Sequence, residues 1–433
     1  MDWRELYNAK LVSAKEAVSV IKSGDKVVVG HAISEPSTIV DAMVKNKEGY
    51  ENVEIIHMLP MGKMEYVNIG MEKHFRHNAL FVGARTRDAV ASGRADYTPC
   101  FFHEIPNLFK RSYIPVDVAL IQVTPPDKHG YCSLGVSSDY IKPAAECAKL
   151  VIAEVNDKLP RTLGNCFVHI SDMDYIVESS HPLIELKPPK ITDVEKAIGE
   201  NCASLIEDGA TLQLGIGAIP DAVLLFLKDK KDLGIHSEMI SDGVVELVES
   251  GVITNKKKTI NPGKMIVTFL MGTRRLYDFI DDNPMVELHP VDYVNDPYII
   301  MQNDNMISIN SCVQVDLTGQ VASESVGLTQ ISGVGGQVDF VRGANMSKNG
   351  KSIMALPSTA SKGTISKIVP LLDEGAAITT SRNDVDYIVT EYGIARLKGK
   401  TLRDRARELI NIAHPKFRLS LMEEFENRFK MKF

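Results

Sequence analysis

Within residues 234–243 (GIHSEMISDG) of this 433-residue chain, a short apolar element is interrupted by one carboxylate, Glu238, and its ends are marked by glycines and Asp242. Ile235, Met239 and Ile240 prefer burial, so they draw Glu238 towards a place where an ionised carboxylate is costly. A buried salt bridge or a capped loop would explain such an acid, and so would a nucleophile or general base at a strand end. These ten residues alone leave the alternatives open.

Two glycine-rich segments can present backbone amides to an anion. Residues 215–220 (GIGAIP) match the dinucleotide fingerprint only weakly, because Pro220 takes the place of the third glycine. Their glycines still let a ligand approach the backbone, and amides at the next helix N-terminus attract an anion. Residues 332–340 (SGVGGQVDF) favour an oxyanion hole. The structural alternative is a tight strand-to-helix turn for residues 215–220 and a flexible connection for residues 332–340.

The other polar candidates are isolated. Lys362 either pairs with a ligand phosphate or is an ordinary solvated cation, and composition favours the second. His31 and Asn295 are single polar residues in predicted loops, where a structural role is the commoner one. His74 and His77 have helical spacing but lack a clear third ligand, so we interpret them as surface histidines and predict no metal site.

Several common catalytic motifs are absent from the sequence. No G-x-x-x-x-G-K-[ST], G-x-S-x-G or H-E-x-x-H occurs, which removes the usual routes to a nucleoside triphosphatase, a serine hydrolase or a zinc peptidase. A carboxylate and amide-rich loops remain. That combination suits acyl transfer through a glutamyl intermediate.

The elements that must position these residues occur twice. Residues 24–30 and 209–215 both read as glycine, β-branched or apolar strand, and glycine, at an offset of 185 positions. Residues 127–130 and 316–319 both begin with aspartate, end with glycine and follow a predicted strand, at an offset of 189 positions. Two landmarks with nearly one offset predict two related α/β halves.

Prolines mark the expected join between the halves. Residues 187–189 (KPP) cannot continue a helix or a central strand, and residues 192–195 (TDVE) predict a capping box that starts a helix. We therefore predict domains at 1–188 and 189–433, each with a mainly parallel sheet. Ligand crevices of such sheets lie beyond the carboxyl ends of the strands, so the loop at 215–220 and Glu238 are expected to face one cleft.

The bulk composition is that of an ordinary globular protein, with 44% hydrophobic and 24% charged residues. A formal net charge of −7 argues against a nucleic-acid surface. The apolar runs are too short to span a bilayer and the first residues lack an apolar signal core, so we expect a cytoplasmic protein without a membrane partner. The six cysteines form no C-x-x-C pair.

Over essentially its whole length, the chain resembles the acetyl-CoA hydrolase/transferase branch of the glutamate-dependent CoA-transferases. The resemblance rests on residues 213–220 (QLGIGAIP), 236–243 (HSEMISDG), 332–340 and 412–415 (IAHP). It implies two related α/β domains with the active site in the cleft between them, and a homodimer or a dimer of dimers. It further implies a ping-pong enzyme moving CoA between acetyl-CoA or butyryl-CoA and a short-chain acid such as 4-hydroxybutyrate.

The resemblance also assigns roles to individual residues. Glu238 would be the nucleophile that forms a glutamyl-CoA thioester, Gly336 would donate its amide to the oxyanion hole, and Asn295 would assist at the reacting centre. The CoA thioester is then a substrate and covalent intermediate, with no tightly bound cofactor. The residues implied to bind CoA are Gly215, Ile216, Gly217, Ala218, Ile219, Ser332, Gly336 and Lys362. Butyryl-CoA:acetate transfer, acyl-CoA hydrolysis and a non-catalytic acyl-CoA sensor are the alternatives.

Overall fold

The computed structural model describes residues 2–433, which form two compact units. The first unit comprises the chain up to Leu186 together with Ile266–Val294, and the second comprises Lys187–Met265 together with Asn295–Phe433. The grouping of Ile266–Val294 with the first unit has no signal in the sequence. The domain boundary at residue 188 stays a prediction.

Strands alternate with helices up to residue 186. The strands are β1 (Lys26–Val29), β2 (Val53–His57), β3 (Phe75–Ala79), β4 (Ala95–Tyr97), β5 (Val118–Val123), β6 (Tyr131–Ser133), β7 (Leu150–Asn156), β8 (Leu163–Gly164), β9 (Phe167–His169) and β10 (Tyr175–Ser179). The helices are α1 (Trp3–Lys10), α2 (Ala14–Val18), α3 (Ser37–Lys45), α4 (Arg87–Ala91), α5 (Ile105–Lys110) and α6 (Ile141–Cys147).

The first unit is built on a seven-stranded sheet of order β10-β7-β5-β1-β2-β3-β4, in which every neighbouring pair is parallel. All six residues of β5 are buried. A continuous buried run is what a strand covered on both faces requires. The core around it includes Val27, Ile39, Ile55 and Leu120.

The rest of the chain continues the alternation. Its strands are β11 (Thr211–Leu214), β12 (Gly234–Ile235), β13 (Met239–Ile240), β14 (Met265–Val267), β15 (Phe269–Leu270), β16 (Val286–Leu288), β17 (Met306–Ser311), β18 (Gln314–Asp316), β19 (Val321–Ala322), β20 (Ser325–Val326), β21 (Thr329–Gln330), β22 (Lys351–Ala355), β23 (Thr359–Ala360), β24 (Ile365–Ser366), β25 (Ile368–Val369), β26 (Tyr387–Thr390) and β27 (Gly393–Arg396). Its helices are α7 (Asp193–Ser204), α8 (Ala218–Leu225), α9 (Asp242–Glu249), α10 (Arg274–Ile280), α11 (Val291–Val294), α12 (Pro297–Ile300), α13 (Gln337–Met346), α14 (Leu402–Asn411) and α15 (Pro415–Phe429).

The second unit is built on a sheet of order β12-β11-β17-β22-β26-β27, parallel except for the pair β26–β27. The predicted capping box is present, with Thr192 and Glu195 exchanging side-chain and backbone hydrogen bonds at the start of α7. Residues of α13, α14, β22 and β26 contribute to a separate apolar core. The prediction of two mainly parallel α/β domains is confirmed.

The two sheets share one strand order, since β10-β7-β5-β1-β2 in the first corresponds to β26-β22-β17-β11-β12 in the second. The turn landmarks match as well. Asp127 Oδ1 accepts hydrogen bonds from the amides two and four residues on, at 2.8 and 3.1 Å. Asp316 Oδ1 does the same at 2.8 and 3.0 Å. The repeated spacing therefore reflects a repeated fold.

The interpretation of His74 and His77 as surface residues on a helix is wrong. His77 lies within β3, where alternate residues point inward, and His74 directly precedes that strand. Both are buried, and their Nδ1 atoms bond to the backbone oxygens of Tyr50 (2.9 Å) and Ile55 (3.1 Å). Burial lowers the pKa of His77 to about 4.

A search of residues 2–433 finds no helix with the length and apolar character needed to cross a bilayer.

Candidate active site

Glu238 lies in the short connection between β12 and β13, beside the carboxyl end of β11. The backbone before it continues the sheet, because His236 N donates to Leu212 O at 3.1 Å. The Ser237 side chain then bonds to the backbone of β11, since its Oγ lies 3.3 Å from Leu214 N and 3.2 Å from Leu214 O. Ser237 is buried whereas Glu238 is partly exposed. The strand and the serine together set the position of the glutamate backbone.

Asn295 contacts the Glu238 carboxylate directly. Its Nδ2 donates to Oε2 of Glu238 at 2.9 Å. Asn295 follows α11 in the chain and is fully buried, and its Oδ1 has no hydrogen-bond partner among residues 2–433. An amide donor on one carboxylate oxygen orients the group and stabilises its charge.

Gly336 lies against the same two side chains. It immediately precedes α13, and a Cβ at this position would overlap Oε2 of Glu238 and Nδ2 of Asn295. A side chain at this position would therefore displace Glu238 or Asn295. The first amides of a helix lack partners within it and form its positive end, which favours negative charge nearby. Glu238, Asn295 and Gly336 thus form one cluster, although 98 positions separate Glu238 from Gly336 in the sequence.

The glycine loop at 215–217 joins β11 to α8. Gly217 precedes α8 with a φ of +122°, a conformation that favours glycine. Ile216 is exposed and Ile219 is buried, so the loop presents one apolar side chain outward. In the first turn of α8, Asp221 accepts a hydrogen bond from Ser241 Oγ at 3.3 Å, and burial raises the pKa of its carboxyl group.

Ser332 and Lys362 belong to separate hairpins. Ser332 N donates to Glu324 O (3.0 Å) at the base of the β20–β21 hairpin. Lys362 is exposed in the turn between β23 and β24, with a φ of +58°. These contacts are local to each hairpin. The assignment of both residues to CoA binding stays a prediction.

The sequence did not reveal a pair of side-chain amides near the carboxyl ends of two neighbouring strands. Gln213, near the end of β11, and Asn310, near the end of β17, exchange hydrogen bonds at 3.3 and 3.1 Å. Their sequence signal is weak, because both strands contain further polar residues, Thr211 in β11 and Ser308 in β17. Because β11 and β17 are parallel neighbours, the pair lies at the edge of the sheet where Glu238 lies.

Comparison with known proteins identifies the family. Residues 1–186 match the model of the acetyl-CoA hydrolase/transferase N-terminal domain, and residues 272–425 match that of the C-terminal domain. The chain belongs to this family.

Its relatives include named CoA-transferases along its full length. The 4-hydroxybutyrate coenzyme A transferase of Clostridium kluyveri is 73% identical, over 99% of this chain and 100% of that protein. The butyryl-CoA:acetate CoA-transferase of Anaerostipes caccae is 41% identical over 98% of both chains. The crystal structure of a 4-hydroxybutyrate CoA-transferase from Porphyromonas gingivalis superposes with a TM-score of 0.87 at 48% identity, over 99% of this chain and 100% of that one. The protein is thus a 4-hydroxybutyrate CoA-transferase-like member of its family.

Proposed function

We propose that this enzyme transfers CoA between acetyl-CoA or butyryl-CoA and a short-chain acid, and that 4-hydroxybutyrate is its preferred acid. The observation that carries the proposal is the Glu238 carboxylate, held by the Asn295 amide and lying against Gly336. The choice of acid is supported by the 73% identity to a relative named for 4-hydroxybutyrate.

In the first half-reaction, a carboxylate oxygen of Glu238 attacks the carbonyl carbon of the acyl-CoA. The resulting tetrahedral oxyanion would accept a hydrogen bond from the Gly336 amide. Loss of the CoA thiolate gives a mixed anhydride of Glu238 and the acyl group. The thiolate then attacks the glutamyl carbonyl carbon, which forms the glutamyl-CoA thioester and releases the first acid as its carboxylate.

In the second half-reaction, the carboxylate of the incoming acid attacks the thioester carbonyl and displaces the CoA thiolate. The thiolate attacks the acyl carbon of the new anhydride, so the new acyl-CoA leaves and the Glu238 carboxylate is restored. Water must be kept from the anhydride and the thioester, since hydrolysis of either would waste the activated acyl or CoA group. The sequence of steps is ping-pong.

Coenzyme A would be held by residues of the second unit. The amides at the start of α8, from Gly215 to Ile219, suit an anionic group. Ser332 and Gly336 lie on the second glycine loop, and the exposed Lys362 ammonium can pair with a phosphate. CoA enters as substrate and leaves as product, with no tightly bound cofactor.

We propose a homodimer or a dimer of dimers in the cytoplasm, acting on acyl-CoA and short-chain acids without a nucleic-acid or membrane partner. Light scattering after size-exclusion chromatography measures the assembly.

Consumption of butyryl-CoA with and without an acid acceptor tests the reaction. We expect the protein to be nearly idle alone and active with 4-hydroxybutyrate, with acetate as a poorer acceptor. Rapid consumption without any acid would instead identify an acyl-CoA hydrolase. Faster turnover with acetate would favour butyryl-CoA:acetate transfer, the reaction named for the 41% identical relative. Calorimetric binding of butyryl-CoA without turnover would identify a sensor.

A further inference from the structure

The strand that leads to Glu238 is short and lies at the edge of its sheet. Strand β12 contains only Gly234 and Ile235, and it is the terminal strand in the order β12-β11-β17-β22-β26-β27. Its inner side is paired with β11. An edge strand exposes backbone donors and acceptors on its other side, and a two-residue strand has few bonds to hold it.

Two buried side chains bond the outer side of this strand. Asn255 Oδ1 accepts from Ile235 N at 2.9 Å, and Lys258 Nζ donates to Ile235 O at 2.8 Å. Lys258 Nζ also donates to Lys264 O at 2.7 Å. Asn255 is fully buried and Lys258 is 4% exposed. Both polar backbone atoms of Ile235 are therefore bonded by side chains.

The stem of Lys258 crosses the strand at Gly234. A Cβ on Gly234 would overlap Cγ of Lys258 and reach Cδ at 3.0 Å. The glycine thus leaves the space through which the ammonium reaches the Ile235 carbonyl. Burying an ammonium is costly unless its hydrogen bonds are made, so this arrangement is specific rather than incidental.

In the first unit, the residue that corresponds to Ile235 has a neighbouring strand on its outer side. Val27 and Leu212 correspond to each other, because they are related by the offset of 185 positions. Val27 pairs with Ile55 in the first sheet, and Leu212 pairs with Ile235 in the second. Ile55 is therefore the counterpart of Ile235. In the first unit, β3 lies on the outer side of Ile55, with His77 opposite it. In the second unit, Leu233 still forms a backbone bridge to Ile253, but beside Ile235 the hydrogen bonds come from Asn255 and Lys258 where the first unit has a strand.

We propose that Lys258 is a positioning residue for Glu238, acting through β12. The ammonium fixes the Ile235 carbonyl, three residues before the glutamate, while β11 fixes the opposite side. Loss of this bond would let the end of the strand shift, and displacements of about 1 Å in a reacting group can cost on the order of a hundredfold in rate. The inference rests on the proposed function of Glu238 as nucleophile.

The variant Lys258→Met tests it, because methionine retains much of the apolar stem but has no donor. We expect the rate of CoA adduct formation at saturating butyryl-CoA to fall about tenfold or more. The dissociation constant for CoA should stay unchanged, because the groups proposed to hold CoA are untouched. Lys230→Met is the matched control, since Lys230 Nζ also donates to a backbone oxygen, but to Ile206 O at 2.6 Å rather than to a residue of β12. Its rate should stay within about twofold of wild type.

The outcomes separate this inference from the proposed function. Rapid adduct formation by Lys258→Met, beside an active wild type, would overturn the positioning role alone. Absence of any adduct in wild type would overturn the function of Glu238. Melting temperatures establish that each variant is folded at the assay temperature, and Lys258→Gln, which restores an amide donor, provides a milder change. Failure of both Lys258 variants to fold would make Lys258 a requirement of folding, which also contradicts the inference.

Discussion

At the scale of single residues, the site depends on how closely three of them approach. Gly336 has no side chain, and this absence lets its backbone lie against Glu238 Oε2 and Asn295 Nδ2. Asn295 contacts and orients the Glu238 carboxylate, although 57 positions separate the two residues in the sequence. Removing any of these features changes where the carboxylate lies, because protein interiors are close-packed.

We predict that Gly336→Ala lowers kcat by about a hundredfold or more, the order expected when a preorganised donor is lost or displaced. The added methyl group would overlap the carboxylate oxygen and the Asn295 amide, so one of them must move. Steady-state kinetics measure the effect, and circular dichroism establishes that the variant is folded. Gly49→Ala is the control, because a Cβ there meets only the flexible Asn46 side chain. Wild-type kcat in Gly336→Ala would contradict the arrangement.

The sequence predicts some of these residues and not others. Glu238 stands out because a carboxylate interrupts an apolar stretch, and Gly336 stands out because three glycines cluster. Asn295 has no such signal, since its partner is distant in the sequence and the residues of a short loop do not indicate what its side chains contact. His77 was misassigned for a related reason: two histidines three apart fit a helix, whereas the strand alternation of β3 decides their burial.

At the scale of elements, the duplication is the strongest prediction that the sequence permits. Matching glycines mark the ends of β1 and β11, and matching aspartates mark two turns, so the repeat survives where backbone geometry restricts residue choice. The short length of β12 and the bonds to its outer side are invisible in the sequence. They depend on residues 255 and 258, which only the folded chain brings beside Ile235.

The two aspartate turns give a matched test of burial. Asp316 is 1% exposed and also bonds to Thr318 Oγ1 and Gln320 Nε2, both at 2.8 Å, whereas the Asp127 side chain is 26% exposed. We predict that Asp316→Ala lowers the free energy of unfolding by about 3 kcal/mol and Asp127→Ala by about 1 kcal/mol, because buried partners left unsatisfied cost more. Urea denaturation measures both. Equal losses, or a larger loss for Asp127→Ala, would contradict this ranking.

At the scale of the whole molecule, the repeated fold carries the proposed nucleophile in only one of its units. Counting on from Ile55 and Ile235, the counterpart of Glu238 in the first unit is Met58. Tyr140 precedes α6 as Gly336 precedes α13, and its fully buried Oη accepts from Met58 N (3.2 Å) and donates to Val29 O (2.9 Å). A tyrosine side chain thus lies where the second unit has glycine. The first unit therefore lacks both a carboxylate at the position of Glu238 and the space that Gly336 leaves beside that carboxylate.

Intact-mass spectrometry after incubation with butyryl-CoA and quenching tests most directly whether Glu238 carries CoA. We predict one adduct per chain, with the mass of one CoA less one water, which digestion of the quenched protein places on the peptide that contains Glu238. Glu238→Ala should form none, while the neighbouring variant Glu249→Ala should form it normally. An unmodified wild-type chain, or an adduct that persists in Glu238→Ala, would contradict the assignment of Glu238 as the residue that carries CoA.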